Sequence, residues 1–231
     1  MNVLTNKTAV ITGASNGIGK GIAKRLANEG VNVVLAARNK GRLDQLANEL
    51  DKAGHSNYLV VPTDVAKHND VEKLVEMTNE TFGEVDIYIN NAGAMLSAAI
   101  NDGKVDEWDQ MVDVNIKGVL YGINSILPDM KKRGTGHIVN LSSVSGHEMA
   151  KGSTVYSATK YAVRAISNGL EKELARTGVR VTNISPGMVN TRDRDYANRK
   201  PLETSDIAEA VVYALSQPDY VNVNEITVRP V

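Results

Sequence analysis

The sequence predicts an α/β fold, in which a single Rossmann-type, doubly wound parallel sheet of about seven strands carries helices on both faces. Short apolar segments rich in β-branched residues alternate with segments of helical period along the chain. Several of the short segments are almost entirely apolar, as is typical of strands that helices cover on both faces. No linker rich in proline, glycine or serine interrupts the chain, so we expect one domain over residues 1–231.

Short apolar segments bounded by turn residues are the strand candidates. The predicted strands are residues 8–12, 31–37, 57–61, 85–90, 137–141, 180–184 and 225–228. Between them, apolar residues recur at helical spacing, which predicts helices that pack on the sheet. The residues that carry this spacing are Ile18, Ile22 and Leu26, then Leu46 and Leu50, and then Val71, Leu74, Val75 and Thr78.

Composition excludes several classes of protein. The 26 Lys and Arg residues nearly balance 27 Asp and Glu residues, which argues against a nucleic-acid binder or a protein held on an anionic membrane. No apolar run reaches the roughly 18 residues of a membrane span, so the expected location is the cytoplasm. The chain has no cysteine, and its four histidines lack the spacing of metal ligands. We therefore expect neither a disulfide nor a metal site.

A glycine-rich turn follows the first predicted strand and begins the first predicted helix. Gly13, Gly17 and Gly19 have the spacing GxxxGxG. Glycines in this context let the backbone approach a pyrophosphate at a helix N-terminus, although a tight strand-to-helix connection alone is the alternative. The residues expected to contact the phosphates are Gly13, Ser15, Asn16, Gly17, Ile18 and Gly19.

Arg38 follows the second predicted strand, where NAD-binding proteins place a carboxylate on the adenosine ribose. The neighbouring residues, Ala36 and Ala37, supply no carboxylate that would repel a 2′-phosphate. A guanidinium can bind such a phosphate through two hydrogen bonds. Arg38 therefore favours NADP(H) over NAD(H), with a solvated surface arginine as the alternative.

Further motifs resemble those of the short-chain dehydrogenase/reductase family over nearly the whole chain. They are Thr12-Gly-Ala-Ser-Asn-Gly-Ile-Gly19, Asp64-Val65, Asn90-Asn-Ala-Gly93, Asn115, Asn140-Leu-Ser-Ser143, Tyr156-Ser-Ala-Thr-Lys160 and Pro186-Gly187. The family commonly closes with a glycine-rich tail, whereas this chain has the segment 221–230 in that place. That segment is similar to the branch containing NADP-dependent 3-hydroxy acid or serine dehydrogenases and clavulanate-type aldehyde reductases.

The resemblance implies a single dinucleotide-binding and catalytic domain and further cofactor contacts. Asp64 would bind the adenine amino group, Val65 would pack on the ring, and the segment with Asn91, Ala92 and Gly93 would lie under the adenosine. The residues implied at the nicotinamide are Pro186, Gly187, Val189 and Thr191. The family also commonly forms homodimers or homotetramers, here through predicted helices at residues 108–131 and 155–176.

Tyr156 and Lys160 are four residues apart in a segment of helical rhythm, so both side chains project from one face of a helix. An ammonium group nearby and an oxidised nicotinamide would lower the pKa of the tyrosine and let it exchange a proton with a carbonyl oxygen. Both residues would also touch the cofactor. Ser143 would hold the substrate oxygen. By resemblance, Asn115 completes this set through a backbone distortion and a water that passes protons to Lys160.

These observations predict an NADP(H)-dependent oxidoreductase that moves hydride between nicotinamide and a small carbonyl or alcohol substrate. A sensor that binds NADPH without turnover is the alternative. Weaker candidates for substrate contact are Met95, Ser145, Glu148, Met149, Met188 and Tyr196. The polar segment 188–201 is expected to be a substrate loop that closes over the ligand, with Arg192 or Arg194 meeting an acidic substrate unless the charges are merely solvated.

Overall fold

The computed structural model describes residues 3–96, 99–191 and 200–231. In these ranges the chain forms seven strands. They are β1 (Thr8–Thr12), β2 (Asn32–Ala37), β3 (Tyr58–Pro62), β4 (Ile87–Asn90), β5 (Gly136–Leu141), β6 (Val179–Pro186) and β7 (Glu225–Val228). The α-helices are α1 (Gly17–Asn28), α2 (Lys40–Lys52), α3 (His68–Phe82), α4 (Val105–Val112), α5 (Gly118–Arg133), α6 (Thr154–Glu173) and α7 (Thr204–Leu215).

One parallel sheet contains all seven described strands, in the order β3-β2-β1-β4-β5-β6-β7. The predicted Rossmann-type fold is therefore confirmed. The first and last residues of each predicted strand lie within two residues of those of an observed strand. The predicted helix at 108–131 consists of α4, a π-helical turn (Asp113–Lys117) and α5. The predicted helix at 155–176 corresponds to α6.

Two hydrophobic cores lie on opposite faces of the sheet because side chains alternate along each strand. On β1, Ala9 and Ile11 belong to the core covered by α1, α2 and α7, whereas Val10 belongs to the core covered by α3, α5 and α6. The residues whose spacing predicted the first three helices are all buried, apart from the partly buried Ile18.

The position of β1 fixes where a ligand can bind. Its neighbours in the sheet are β2 and β4. After β1 the chain forms β2 and β3 on one side, and then returns to form β4 on the other side. At such a switch point the loops beyond the carboxyl ends of the strands diverge and leave a crevice. The glycine-rich turn after β1 lies at this crevice.

The described part of the chain has no helix that is both long and apolar enough to cross a membrane. Among the same residues, no three or more histidine or acidic side chains are grouped in a way that could hold a metal ion.

Candidate active site

The turn between β1 and α1 has the backbone that its glycines predict. Gly13 and Gly17 have φ angles of +69° and +52°, in a backbone region that residues other than glycine rarely adopt. The side-chain oxygen of Asn16 accepts a hydrogen bond from the Gly17 amide at 2.7 Å, which caps α1. A Cβ atom on Gly17 would lie 3.1 Å from Cγ2 of Thr191, so the chain after β6 comes close to this turn.

Thr12 joins this turn to the chain after β4, a role that the sequence reasoning missed. Its hydroxyl accepts hydrogen bonds from the amides of Asn91 and Ala92 at 3.0 and 3.1 Å. The Asn91 side chain donates in return to the Thr12 carbonyl at 2.8 Å. Because Thr12 is buried, these bonds hold the two loops at a fixed separation.

A cavity of about 490 Å³, called here the nucleotide cavity, lies beyond the carboxyl ends of β1, β2 and β3. It brings together most of the residues predicted to bind cofactor. They are Gly13, Ser15, Asn16, Gly17, Ile18, Arg38, Asp64, Val65, Asn91, Ala92, Gly93 and Thr191. Gly19 is buried beneath the turn instead of lining the cavity.

Arg42 also lines the nucleotide cavity and was missed in the sequence. It lies in the first turn of α2, whose N-terminal cap is Asn39, and the Asn39 side-chain oxygen accepts from the Arg42 amide at 3.0 Å. Arg38 and Arg42 therefore place two guanidinium groups at one wall. Their spacing of four residues is visible in the sequence, but Arg38 precedes α2, so helical geometry does not bring the two together.

Lys160 lies on α6 with its ammonium group buried. Nζ donates to the carbonyl oxygen of Leu141 at 2.9 Å. Burial lowers the pKa of Lys160 to about 8, because removal from water disfavours the charged form. The backbone of the same residue is also fixed, since its carbonyl accepts from the Ser142 hydroxyl at 3.0 Å.

The Tyr156 ring lies beside this ammonium group, with 5.8 Å between Lys160 Nζ and the ring centroid. Burial raises the pKa of Tyr156, and a hydrogen bond with Ser143 opposes the rise. The net shift from the protein's own groups is therefore upward, and the lowering expected from the ammonium together with an oxidised nicotinamide stays a prediction. The reason is that desolvation of the phenolate outweighs the one favourable contact.

Ser143 leaves β5 in an extended conformation and caps a short 3-10 helix (Val144–Gly146). Its hydroxyl oxygen accepts from the Ser145 amide at 3.1 Å and lies 3.5 Å from the Pro186 carbonyl oxygen. The hydroxyl thus faces the ends of both β5 and β6, at the same edge as Tyr156.

Asn115 lies in the π-helical turn between α4 and α5, the backbone distortion that the resemblance implies. Its side chain exchanges hydrogen bonds with Ala94, accepting from the amide at 2.7 Å and donating to the carbonyl at 2.9 Å. It also donates to the Thr159 hydroxyl at 3.0 Å, which links it to α6. The water that would join Asn115 to Lys160 stays a prediction.

A second cavity of about 820 Å³, called here the reaction cavity, adjoins the nucleotide cavity. Tyr156, Lys160 and Ser143 all line it. So do the residues predicted at the nicotinamide, which are Pro186, Gly187, Val189 and, shared with the nucleotide cavity, Thr191.

Among the described residues, the weaker substrate candidates divide into two groups. Met95, Ser145 and Met188 line the reaction cavity, as do Lys104 and Glu107, which the sequence reasoning missed. Two others do not belong to its described lining. They are Glu148, which pairs with Arg229 at 2.7 Å, and Met149, which is 70% exposed. Both residues follow the short 3-10 helix and are exposed at the surface.

The ends of the predicted substrate loop are tied to each other. Asn190 donates through its amide to the Leu202 carbonyl at 2.7 Å, and the Leu202 amide donates to the Met188 carbonyl at 2.9 Å. The predictions for Arg192, Arg194 and Tyr196 fall on residues 192–199, outside the described residues.

This fold is Rossmann-type, and its two adjoining cavities lie at the carboxyl edge of the parallel sheet, where proteins of this class bind ligands. A family model described as short chain dehydrogenase matches residues 7–201. The chain therefore belongs to the short-chain dehydrogenase family and is an oxidoreductase.

Relatives and solved structures agree with this assignment. An uncharacterized oxidoreductase of Staphylococcus aureus (strain MRSA252) is 57% identical, with 100% of each chain covered. An alcohol dehydrogenase from the archaeon Thermococcus sibiricus, complexed with 5-hydroxy-NADP, is similar at a TM-score of 0.90 and 32% identity, covering 97% of each chain. The closed form of a serine dehydrogenase complexed with NADP+ is similar at a TM-score of 0.90 and 33% identity, covering 96% of this chain and 94% of that one.

Proposed function

We propose that this protein is an NADP(H)-dependent oxidoreductase that transfers hydride between nicotinamide and a small carbonyl or alcohol substrate. The observation that carries the proposal is the continuity of the two cavities. They share the lining residues Ile18, Asn91, Gly93, Ala94 and Thr191. A dinucleotide held at the glycine turn therefore has a path to Tyr156 and Ser143.

The residues of the nucleotide cavity fit a dinucleotide with a 2′-phosphate. The glycines of the turn place no side chain of their own over the start of α1, where an anion is favoured, and Asn16 holds the Gly17 amide. Arg38 and Arg42 supply positive charge at the adenosine end. Asp64 lines the same cavity, and its Oδ1 accepts from the Ala66 amide at 3.2 Å, which ties the carboxylate to the turn between β3 and α3.

The reduced nicotinamide supplies hydride, and the chain's own residues orient the reactants and move the proton. Gly187, Val189 and Thr191 would hold the nicotinamide end at the carboxyl edge of β6. The Tyr156 hydroxyl would donate its proton to the substrate oxygen in reduction and accept it back in oxidation. Because burial raises its pKa above the ordinary value, the phenol carries its proton at neutral pH, and nearby positive charge would assist the transfer.

Ser143 would hold the substrate oxygen with its hydroxyl as negative charge develops there. Lys160 is the buried cation of the site, and at its pKa of about 8 it retains its charge in most molecules at neutral pH. That charge favours any state in which Tyr156 has given up its proton. Asn115 positions α6 through Thr159.

The experiment that tests this proposal measures consumption of NADPH and of NADH by purified protein with aldehydes and ketones, and the reverse reaction with alcohols, serine and 3-hydroxy acids. We expect turnover with at least one carbonyl compound and a preference for NADPH. The same preparation is titrated with NADPH by fluorescence. Tight NADPH binding without turnover on any substrate would favour the alternative of an NADPH sensor.

A further inference from the structure

The segment 144–148, called here the substrate-side segment, follows Ser143 and contributes Val144 and Ser145 to the reaction cavity. Because the Ser143 hydroxyl accepts from the Ser145 amide at 3.1 Å, a shift of this segment changes where that hydroxyl points. The direction of the Ser143 hydroxyl therefore depends on contacts between the substrate-side segment and other elements of the fold.

Helix α6 fixes one side of the segment. Arg164 donates through Nη1 to the Gly146 carbonyl at 2.9 Å, and the Tyr161 hydroxyl donates to the His147 carbonyl at 2.5 Å. These two residues follow Tyr156 and Lys160 on the same helix. The contacts thus join the segment to the element that carries the proposed proton donor.

Strand β7 fixes the other side. Glu225 accepts two hydrogen bonds from Arg164, at 3.0 and 3.2 Å, and its Oε1 lies 3.0 Å from Nε2 of His147. Asn183 on β6 donates to the same carboxylate at 3.2 Å. Just after β7, Arg229 pairs with Glu148 at 2.7 Å.

The contacts of His147 argue against a second, hydrolytic active site here. His147 Nε2 also lies 3.0 Å from the hydroxyl of Ser185, so a serine, a histidine and a carboxylate meet. A hydrolytic triad needs the two contacts on different ring nitrogens, whereas here both lie at Nε2. Ser185 is also fully buried. The cluster is therefore a structural tie.

We propose that Glu225 acts as a positioning residue that holds the substrate-side segment and thereby aims Ser143 and Ser145 at the substrate. This inference rests on the proposed function, because it assigns a role within the same site. Glu225 belongs to the segment 221–230, which takes the place of the family's common glycine-rich tail. The proposal therefore assigns a function to that segment.

The energetics favour a real contribution from this contact. The side chains of Glu225, Arg164 and His147 retain only 30%, 25% and 25% of their exposure, so water screens their interaction less than it screens a surface pair. A carboxylate that accepts from a bidentate guanidinium also fixes geometry as well as charge. Removing Glu225 leaves Arg164 and His147 without this acceptor.

Hydrogen exchange tests the tie without reference to activity. We expect Glu225→Ala to increase exchange at the amides of the substrate-side segment by about tenfold or more, as a lost charged hydrogen bond implies. The control is Glu173→Ala, which removes an exposed carboxylate at the end of α6. Unchanged exchange in Glu225→Ala would overturn the proposed tie, whatever the protein catalyses.

Kinetics test the positioning role. We expect Glu225→Ala to lower kcat/KM for the carbonyl substrate roughly ten- to a hundredfold, since misplacement of a reacting group by about 1 Å has effects of that size. The dissociation constant of NADPH should change less than twofold, and Glu225→Gln should recover part of the rate. Combining Glu225→Ala with Arg164→Ala should give less than the product of the separate effects.

The outcomes separate this inference from the proposed function. Parental activity with an unchanged kcat/KM in Glu225→Ala overturns the positioning role alone. Equal losses of NADPH binding, thermal stability and turnover overturn it as well, because they indicate general destabilisation. A parent that consumes no NADPH with any substrate overturns the proposed function, and hydrogen exchange then still decides whether the tie exists.

Discussion

The ammonium nitrogen of Lys160 lies 5.8 Å from the ring centroid of Tyr156 and is held there by a hydrogen bond to the Leu141 carbonyl. Both groups are deeply buried, and burial acts on them in opposite directions: it lowers the pKa of Lys160 and raises that of Tyr156. Each shift favours the neutral form of its group. The buried Lys160 cation therefore lowers the free energy of unfolding, and its role lies in the proposed chemistry.

Lys160→Met should abolish turnover without reducing stability at neutral pH. Below pH 8 the folded protein holds a buried charge that the unfolded chain exposes to water, and its pKa falls from 10.5 to about 8 on folding. Removing that charge should raise the free energy of unfolding by on the order of 2 kcal/mol, after the lost hydrogen bond is deducted.

The pH dependence of this gain has a definite sign. Between pH 8 and 10.5 the unfolded parent binds a proton that the folded parent has released, so the parent's stability rises with pH. The advantage of Lys160→Met should therefore shrink between pH 7 and pH 9.5 in urea unfolding. A variant less stable than the parent by more than about 1 kcal/mol at pH 7 would contradict the burial cost.

Arg38→Asp should shift cofactor preference from NADPH toward NADH. A carboxylate at this position repels a 2′-phosphate and accepts from a free ribose hydroxyl, so the ratio of kcat/KM values should change by roughly a hundredfold. Arg42→Ala should change it less, because one guanidinium remains. The matched control is Lys40→Ala, which removes an exposed cation on the same turn that pairs with Asp44 at 2.8 Å. A ratio that no arginine variant alters would place both groups outside the cofactor site.

His137 should make the protein sensitive to acid. It is buried on β5 with Nε2 2.8 Å from the Thr182 hydroxyl, and burial together with Arg180 lowers its pKa to about 3. The unfolded chain takes up a proton near pH 6.5 that the folded protein refuses, so this contribution is complete above pH 6.5 and is lost as the pH falls toward 3.

The test compares His137→Gln with the parent in urea at pH 7 and pH 4. We expect the parent to lose about 3 kcal/mol more than the variant between these values. His55→Gln, at a partly exposed histidine, serves as the control. Identical losses in the parent and in His137→Gln would show that His137 accepts a proton in the folded state.

Assembly as a homodimer or homotetramer stays a prediction. The helices expected to form the interface correspond to α4, α5 and α6. Val119 and Ile123 face the core, whereas Val112 and Leu120 are 36% and 44% exposed. These two apolar side chains are available to a second copy of the chain. Light scattering should give at least twice the chain mass of 24.9 kDa. Leu120→Lys should weaken the assembly, and a fully active monomer at micromolar concentration would defeat the prediction.

The strands and the glycine turn were predictable because their signals are local. A strand covered on both faces, such as β1, is buried throughout and has an apolar centre, and the positive φ at Gly13 favours glycine there. Tyr156 and Lys160 were predictable because helical spacing brings them together. The direction of the Tyr156 pKa shift was not, since it depends on how much water the folded chain removes from the phenol.

Contacts between distant parts of the chain were also out of reach of sequence reasoning. Thr12 joins Asn91, 79 residues away, and Arg164 joins Glu225, 61 residues away. Neither pair has a spacing that marks it, because the sheet order and not the sequence makes the partners neighbours. Arg42 is different: its separation of four residues from Arg38 was visible, but only the fold shows that both reach one cavity.

The most direct test of the proposed function is the turnover of Tyr156→Phe measured beside its affinity for NADPH. The phenylalanine ring keeps the packing and removes the proton, so NADPH binding should stay within a few-fold of the parent while kcat falls by about 10² to 10⁴. Tyr213→Phe, at an exposed tyrosine on α7, should match the parent in both. Retention of more than about a tenth of the parental kcat in Tyr156→Phe would place the proton donor on another residue and contradict the account.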